Sequence, residues 1–304
     1  MKEDVLKHNI VSESSIRDYI SLLKPRVMSL VVFTAVAGLY LAPSTIHPFI
    51  ALVSILCTSL GSGAAGCLNM WYDRDIDSIM LRTKSRPIVT GIVEESEALA
   101  LGIFLSIISV VGMMVCVNII SGLILALSIG FYYFIYTVWL KRSTIQNIVI
   151  GGAAGSFPPI IGWTSVTGSI DLDAIILFLI IFLWTPPHFW ALALYKSDDY
   201  KRAKIPMMPV ICGADYTKNQ IVIYSIFMAL SSFLPFFTGL VGYSYFIVCA
   251  FLNIYFLYLA VKLKYSKDGN DSNSAKIAPK LFGYSIIYLF AIFGTLMISK
   301  FIGF

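Results

Sequence analysis

Charge is scarce in this chain. Only 13% of its 304 residues are Asp, Glu, Lys or Arg, and 58% are hydrophobic; soluble domains run at about 25% and about 45–50%. The mean hydropathy is +0.82. A soluble globule of this length has too little polar side chain to cover so much apolar surface, so lipid must be the solvent for much of it. Cysteine pairing is missing too. Cys57, Cys67, Cys116, Cys212 and Cys249 are scattered with no Cys-x2-Cys or Cys/His spacing, which argues against a disulfide framework and against a zinc site. No Gly-Lys-Ser/Thr follows the glycine-rich runs Gly61-Ser-Gly63-Ala-Ala-Gly66 and Gly151-Gly152-Ala-Ala-Gly155. They are therefore not phosphate loops and read as close helix packing. The first 25 residues mix Lys2, Glu3, Asp4, Glu13, Arg17 and Asp18. That is neither a cleavable signal peptide nor an acid-poor transit peptide, and it reads as a short cytoplasmic tail over residues 1–25. The net charge of +5 reflects orientation in a membrane rather than nucleic-acid binding.

What is present is a series of apolar runs. A spanning helix needs about 20 mostly apolar residues. Nine candidates follow: 27–43, 48–68, 97–115, 118–138, 144–164, 173–194, 218–240, 242–261 and 281–302. The expected fold is all-α and integral to the membrane, one bundle of nine transmembrane helices over residues 26–304. The joints after the third and seventh spans are short enough to make tight antiparallel pairs. Residues 262–280 are the one linker-like stretch, and no soluble domain fits anywhere.

Laid on that count, all but one of the 22 basic residues fall on one side, Lys300 being the exception. By the positive-inside rule that side is cytoplasmic, with the N-terminus in and the C-terminus on the opposite side. Acidic residues contribute little to orientation, yet they gather on the same side. Asp73, Asp75 and Asp77 follow the second span, and Asp198 and Asp199 follow the sixth; Asp171 and Asp173 lie on the other side.

Four constellations carry possible chemistry. The first is Asn69-x3-Asp73-x3-Asp77. If the second helix continues through it, an amide and two carboxylates share one face over about 12 Å. Carboxylates stacked in this way repel one another, and a hard divalent cation shared with a phosphate is a natural partner. The ordinary alternative is a solvated helix end paired with Arg74 or Arg82. The second is the basic run Arg82-Thr-Lys84-Ser-Arg86-Pro87, which either holds a diphosphate or serves orientation and lipid headgroups. The third is His188-Phe-Trp-Ala-Leu-Ala-Leu-Tyr195-Lys196-Ser-Asp198-Asp199, a second acidic cluster on the same side. His188 is an ionisable residue at membrane depth and so a candidate functional group; a buried, satisfied imidazole is the plain alternative. The fourth is the turn Lys141-Arg142-Ser-Thr144-Ile-Gln146-Asn147, where Asn147 opens an apolar span and is a candidate to face a cavity.

Together these motifs resemble the UbiA superfamily of intramembrane prenyltransferases, from about Lys24 onward. Asn69-x3-Asp73-x3-Asp77 is similar to that family's first Asp-rich motif, and Asp199 to the acid of its second. Further segments resemble its haem-farnesylating branch: Lys24-Pro25-Arg26-Val27, Asp73-Arg74-Asp75-Ile76-Asp77, Arg82-Thr83 with Arg86-Pro87, Trp139-Leu140-Lys141-Arg142, Asn147-Ile148-Val149-Ile150-Gly151-Gly152, Pro186-Pro187-His188-Phe189-Trp190-Ala191-Leu192-Ala193, and Asp199-Tyr200 with Ile205-Pro206-Met207-Met208-Pro209-Val210. Two departures stand out. Tyr195 occupies the position four before Asp199 where many members carry Asp. Lys204 stands where this branch often has Gly, a change expected to have little consequence.

The resemblance implies a reaction. A farnesyl group passes from farnesyl diphosphate to the 2-vinyl group of haem b, water completes the addition, and haem O and diphosphate result. It implies Mg2+ held by Asn69, Asp73, Asp77 and Asp199, with Asp198 a further candidate ligand, and Asn69, Asp73, Asp77 and Asp199 as the catalytic set. Substrate contacts are expected from Arg26, Arg74, Arg82, Arg86, Lys141, Arg142, Asn147, His188 and Tyr195. Haem b is a substrate here, not a cofactor. Tyr136, Trp163, Trp184 and Phe189 are candidates for the walls around an allylic cation. The implied setting is a bacterial inner membrane, with the lipid bilayer and a haem A synthase as candidate partners. The rivals are a UbiA-type enzyme with an acceptor like 4-hydroxybenzoate and a transporter with acidic coupling sites. Transporters place such sites near the midplane, often on repeated broken helices, whereas these acids cluster at one face.

Overall fold

In lipid every backbone N–H and C=O must be bonded within its own segment, so apolar runs of this length become helices. The computed structural model describes residues 14–267 and 273–303, and all its regular elements are helical. In chain order they are α1 (Ile16–Leu22), α2 (Pro25–Leu41), α3 (Pro48–Tyr72), α4 (Arg74–Ile79), α5 (Glu95–Cys116) and α6 (Ile119–Gly130). The last runs on through a π-helical segment (Phe131–Leu140) into α7 (Lys141–Ser143). Then come α8 (Asn147–Ser156), α9 (Pro158–Thr167), α10 (Leu172–Tyr195), α11 (Ser197–Arg202), α12 (Met208–Ile211), α13 (Ala214–Ser232), α14 (Leu234–Phe237), α15 (Tyr243–Lys264) and α16 (Asn273–Ile302).

Among the described residues seven helical runs are long and apolar enough to cross a membrane, and α1 with α2, bent by 56°, brings the number to at most eight. Nine such helices were expected. The clearest difference lies at the expected fifth span, 144–164, which divides into α8 and α9 around Phe157. Pro158 and Pro159 have no N–H to offer the preceding turn, so the helical ladder is interrupted there. Each ten-residue half is about 15 Å long, half a bilayer core.

The stretch read as a tail is partly built in. Leu22 of α1 is fully buried in a small core with Cys67, Met70, Ile88, Val93 and Ala98, and Tyr19 donates to Glu97 at 2.8 Å. Residues 1–13 lie outside the described residues.

The helix α10 runs through the middle, touching α8, α9, α13 and α16, while α3 packs along α5 and α2 crosses α9. That last crossing depends on two glycines. A Cβ on Gly38 would sit 2.1 Å from the Pro159 carbonyl oxygen, and one on Gly162 would sit 2.0 Å from that of Ala35. Only small residues let backbones approach so closely. The bundle has two unlike ends. At one, Lys300 donates to the carbonyls of Tyr40 (3.0 Å) and Ala42 (2.6 Å) at the close of α2, and Trp163 donates to Asp171 at 2.8 Å. At the other lie both acidic motifs and the basic loops.

Candidate functional site

The first motif remains helical across the α3–α4 joint. The amide of Asp73 bonds to the Asn69 carbonyl (3.0 Å), and that of Asp77 to the Asp73 carbonyl (2.8 Å). Asn69, Asp73 and Asp77 therefore share one face, and all three are buried. Buried carboxylates must be paired, and four cations from three separate segments converge on this face. Lys141 forms an ion pair with Asp73, and Arg142 stands 3.5 Å from the other Asp73 oxygen. Arg86 pairs with Asp77. Lys24 donates to the Asn69 side-chain oxygen at 2.5 Å, while the Asn69 amide donates to Asp73 (2.7 Å) and to Thr137 (3.0 Å).

Local structure explains how each cation arrives. The π-helical turns bring Thr137 and Lys141 onto this face; an inserted residue of this kind is frequent at functional sites. The Thr137 hydroxyl bonds back five residues to the Tyr132 carbonyl at 2.8 Å. Gly151 leaves room for the Tyr136 ring, which a Cβ there would meet at 2.2 Å. Tyr132 and Tyr136 both lie within electrostatic reach of Asp73. The loop after α4 is a chain of turns anchored by the Thr83 hydroxyl on the Asp77 carbonyl (3.0 Å), which sets Arg86 over Asp77. Lys24 sits at the α1–α2 joint with φ of 54°, a conformation uncommon for a non-glycine residue and one that concentrates at functional sites. Burial, and the Arg86 and Lys141 charges beside it, hold its ammonium down to about 7, against the pull of Asp73 and Asp77.

The second motif lies on α11. Asp199 is buried and pairs with Arg202 one turn on. Burial pushes the neighbouring Tyr200 phenol up, while the positive charge of Arg82 nearby pulls it down. Tyr136 is within electrostatic reach of Asp73, Arg82 and Tyr200 together, so the two motifs face a common region. Helix α11 ends with the amide of Lys204 on the Lys201 carbonyl (3.1 Å) and that of Ile205 on the Tyr200 carbonyl (3.0 Å). This is a Schellman ending whose left-handed position is Lys204, at φ of 53°, where glycine is favoured. The substitution expected to matter little thus carries a conformational cost.

Other expected residues are placed differently. Arg74 turns away from the acidic face: it pairs with Glu95 at 2.8 Å and donates to the Trp71 carbonyl at 2.7 Å, beside a cleft of about 680 Å³. Arg26 and Asp198 are both exposed, unlike the buried Asp199 beside the latter. Arg142 holds Asp75 through two bonds of 2.7 and 2.8 Å, and this keeps the Asp75 carboxyl below its ordinary range. Asn147 is buried; its amide ties the Thr144 carbonyl (2.7 Å) to that of Pro206 (3.3 Å), and its side-chain oxygen has no partner among the described residues. Tyr195 packs edge-on to Phe282 at 6.2 Å. Trp163 cannot wall the site, because its indole is bonded to Asp171 at the opposite end. Trp184 and Phe189 instead surround His188, with ring centroids 4.2 and 5.0 Å away. The contributions of Lys24 and Thr137 are not visible in the motif spacing; the Lys24-Pro25-Arg26 run points toward the first only through its neighbour.

The donor set is all oxygen and suits a hard cation such as Mg2+. One oxygen each of Asp77 and Asp199 is bonded to no protein group among the described residues, and Asp73 offers one held only by Arg142 at 3.5 Å. No three acidic, His or Cys side chains come close enough among the described residues to hold an ion alone. That also suits Mg2+, which usually completes its shell with phosphate oxygens and water.

Comparison with known proteins agrees with this arrangement of polytopic helices around two acidic motifs. The chain belongs to the UbiA prenyltransferase family, whose model matches residues 31–286. It is 56% identical over 281 residues to the protoheme IX farnesyltransferase of Rickettsia bellii, covering 92% of each chain. It is 54% identical over 291 residues to the protoheme IX farnesyltransferase of Agrobacterium fabrum, covering 96% of this chain and 91% of that one. Among solved structures, a UbiA homolog from Archaeoglobus fulgidus bound to GPP and Mg2+ has the same fold, with a TM-score of 0.70, 16% identity, and 92% of this chain and 99% of that one covered. A structure of a digeranylgeranylglyceryl phosphate synthase superposes with a TM-score of 0.76 at 17% identity, covering 93% and 97%.

Proposed function

We propose that this protein transfers the farnesyl group of farnesyl diphosphate to the 2-vinyl group of haem b, with addition of water, releasing haem O and diphosphate. The observation that carries the reading is the buried face of Asn69, Asp73 and Asp77 enclosed by Lys24, Arg86, Lys141 and Arg142. More than half identity to protoheme IX farnesyltransferases supports the choice of acceptor.

The difficult event is breaking the allylic C–O bond, which leaves its electron pair on diphosphate. Asn69, Asp73, Asp77 and Asp199 would hold Mg2+, which when bound would supply Lewis-acid stabilisation to that leaving group. Lys141, Arg142 and Arg86 add fixed positive charge where negative charge develops, in a region shielded from water. Lys24, a positioning residue, holds Asn69 toward the same point. Tyr132 and Tyr136 offer π-faces to an allylic cation. The vinyl terminal carbon bonds to that cation, water adds to the neighbouring carbon, and a proton is released.

The domain is a nine-crossing prenyltransferase unit over residues 26–304 in a bacterial inner membrane, with α8 and α9 together making one crossing. The charged end faces the cytoplasm, as do residues 1–25, and the C-terminus lies on the other side. This orientation is supported by the clustering of basic loops at the end opposite Lys300. A haem A synthase is a reasonable partner to receive the product. The direct test uses purified protein with farnesyl diphosphate, haem b and Mg2+. Asp73→Ala should abolish haem O formation, and full activity in that variant or in EDTA would rule out the metal role.

A further inference from the structure

His188 lies on α10 two turns before its end at Tyr195 and is 7% exposed. Both faces of its ring are covered, by Trp184 (4.2 Å between centroids, 19° between planes) and by Phe282 of α16 (4.6 Å, 26°). Phe189 meets it edge-on at 5.0 Å. Only the nitrogens remain for polar contact. Nδ1 lies 2.5 Å from the Ser285 hydroxyl oxygen. That same oxygen lies 2.6 Å from the Phe282 carbonyl.

Two contacts this short each need a proton, and Ser285 has one. A carbonyl has none to give, so the serine proton goes to the Phe282 oxygen. The other must therefore come from Nδ1, and Ser285 accepts there. Among the described residues no acidic group bonds to the ring, so the imidazole is neutral and its second nitrogen, Nε2, is a bare lone pair. Nε2 bonds to no protein group among the described residues. Nε2 is not among the buried unpartnered polar atoms of the described residues, so its lone pair is not sealed in protein and stays open to a ligand. Such a ligand must be a proton donor or a Lewis acid. A haem propionate, itself an acceptor, does not qualify. The haem iron does.

Resting on the reading of haem b as acceptor, we propose that His188 Nε2 is an axial ligand to the iron of the bound haem, with Ser285 fixing the ring's tautomer and direction. Ligating histidines characteristically donate their other N–H to a second group in this way. The ligand holds the porphyrin by its metal and leaves the vinyl edge free to react.

The test is optical titration of the purified full chain in nanodiscs with ferric haem b, following the Soret and visible bands. The native protein should give an imidazole-ligated spectrum. His188→Ala should lose that spectrum and regain it on addition of free imidazole. Ser285→Ala should keep ligation but weaken haem affinity about 10-fold or more. Retained binding of a non-hydrolysable farnesyl diphosphate analogue marks each variant as folded. Should His188→Ala bind haem with the native spectrum, the ligand assignment is overturned while the acceptor reading stands. An unchanged haem affinity in Ser285→Ala overturns the tautomer argument. No haem binding by the native chain would overturn the acceptor reading itself, and the ligand assignment with it.

Discussion

Replacing Lys141 with Met removes the ammonium paired with a fully buried carboxylate. Lys141 is 17% exposed at its side chain and Asp73 is 0%. What stays near Asp73 is the Asn69 amide at 2.7 Å and Arg142 at 3.5 Å. Stripping one partner from a buried ion pair costs about 3–5 kcal/mol when nothing else is near. Because Asn69 and Arg142 remain, a loss of about 2–3 kcal/mol is expected here. Activity should fall further than stability explains. Lys141 supplies charge at the leaving diphosphate, and removing one such contact typically lowers turnover about 10²–10³-fold. The two effects separate in a double variant. Adding Asp73→Asn neutralises the buried carboxylate, so Lys141→Met/Asp73→Asn should recover thermal stability in detergent toward that of the native protein. Haem O formation should not recover. Recovery of both, or of neither, would refute the claim that Lys141 balances Asp73 in the folded state and serves the diphosphate in turnover.

Three further outcomes follow from the geometry. Lys204→Gly relieves a left-handed lysine that costs about 1–2 kcal/mol, offset in part by the greater freedom of glycine in the unfolded chain; unfolding should shift up modestly, and a downward shift would contradict the Schellman ending. Gly162→Ala forces a methyl against the Ala35 carbonyl and should cost about 3 kcal/mol or more, read as a lower unfolding midpoint with α2 and α9 spread apart; an unchanged midpoint would mean the crossing is looser than described. Asp199→Asn keeps the shape of the side chain but removes its charge, so half-maximal activity should require more Mg2+, and an unaltered Mg2+ titration would remove Asp199 from the metal set.

Much of the site was legible because its signal is local. An amide and two acids spaced by four need only a helix to align them, and Asn69, Asp73 and Asp77 do share one buried face. Membrane length and composition likewise announced a helical bundle. Features that depend on distant packing were less legible. The π-helical segment that carries Thr137 and Lys141 into the site has no hydropathy signature, because all its residues would suit an ordinary helix. Arg74 sits within the acidic motif, yet Glu95 across the cleft draws it away. Trp163 looks like a cavity wall by residue type, but its indole N–H is committed to Asp171. The break at Phe157 was written in Pro158-Pro159, and hydropathy averaging over twenty residues passed over it. Lys204 carried its conformational meaning only in a turn that the sequence does not draw.

The acceptor is the central claim, and it is tested most directly by its product. The chain would be expressed in a host that makes haem b but lacks haem O, and the extracted haems analysed by mass. The account predicts a new haem carrying one hydroxyethylfarnesyl group, absent when the Asp73→Ala variant is expressed. Haem b alone in cells that contain the folded protein and farnesyl diphosphate would contradict it.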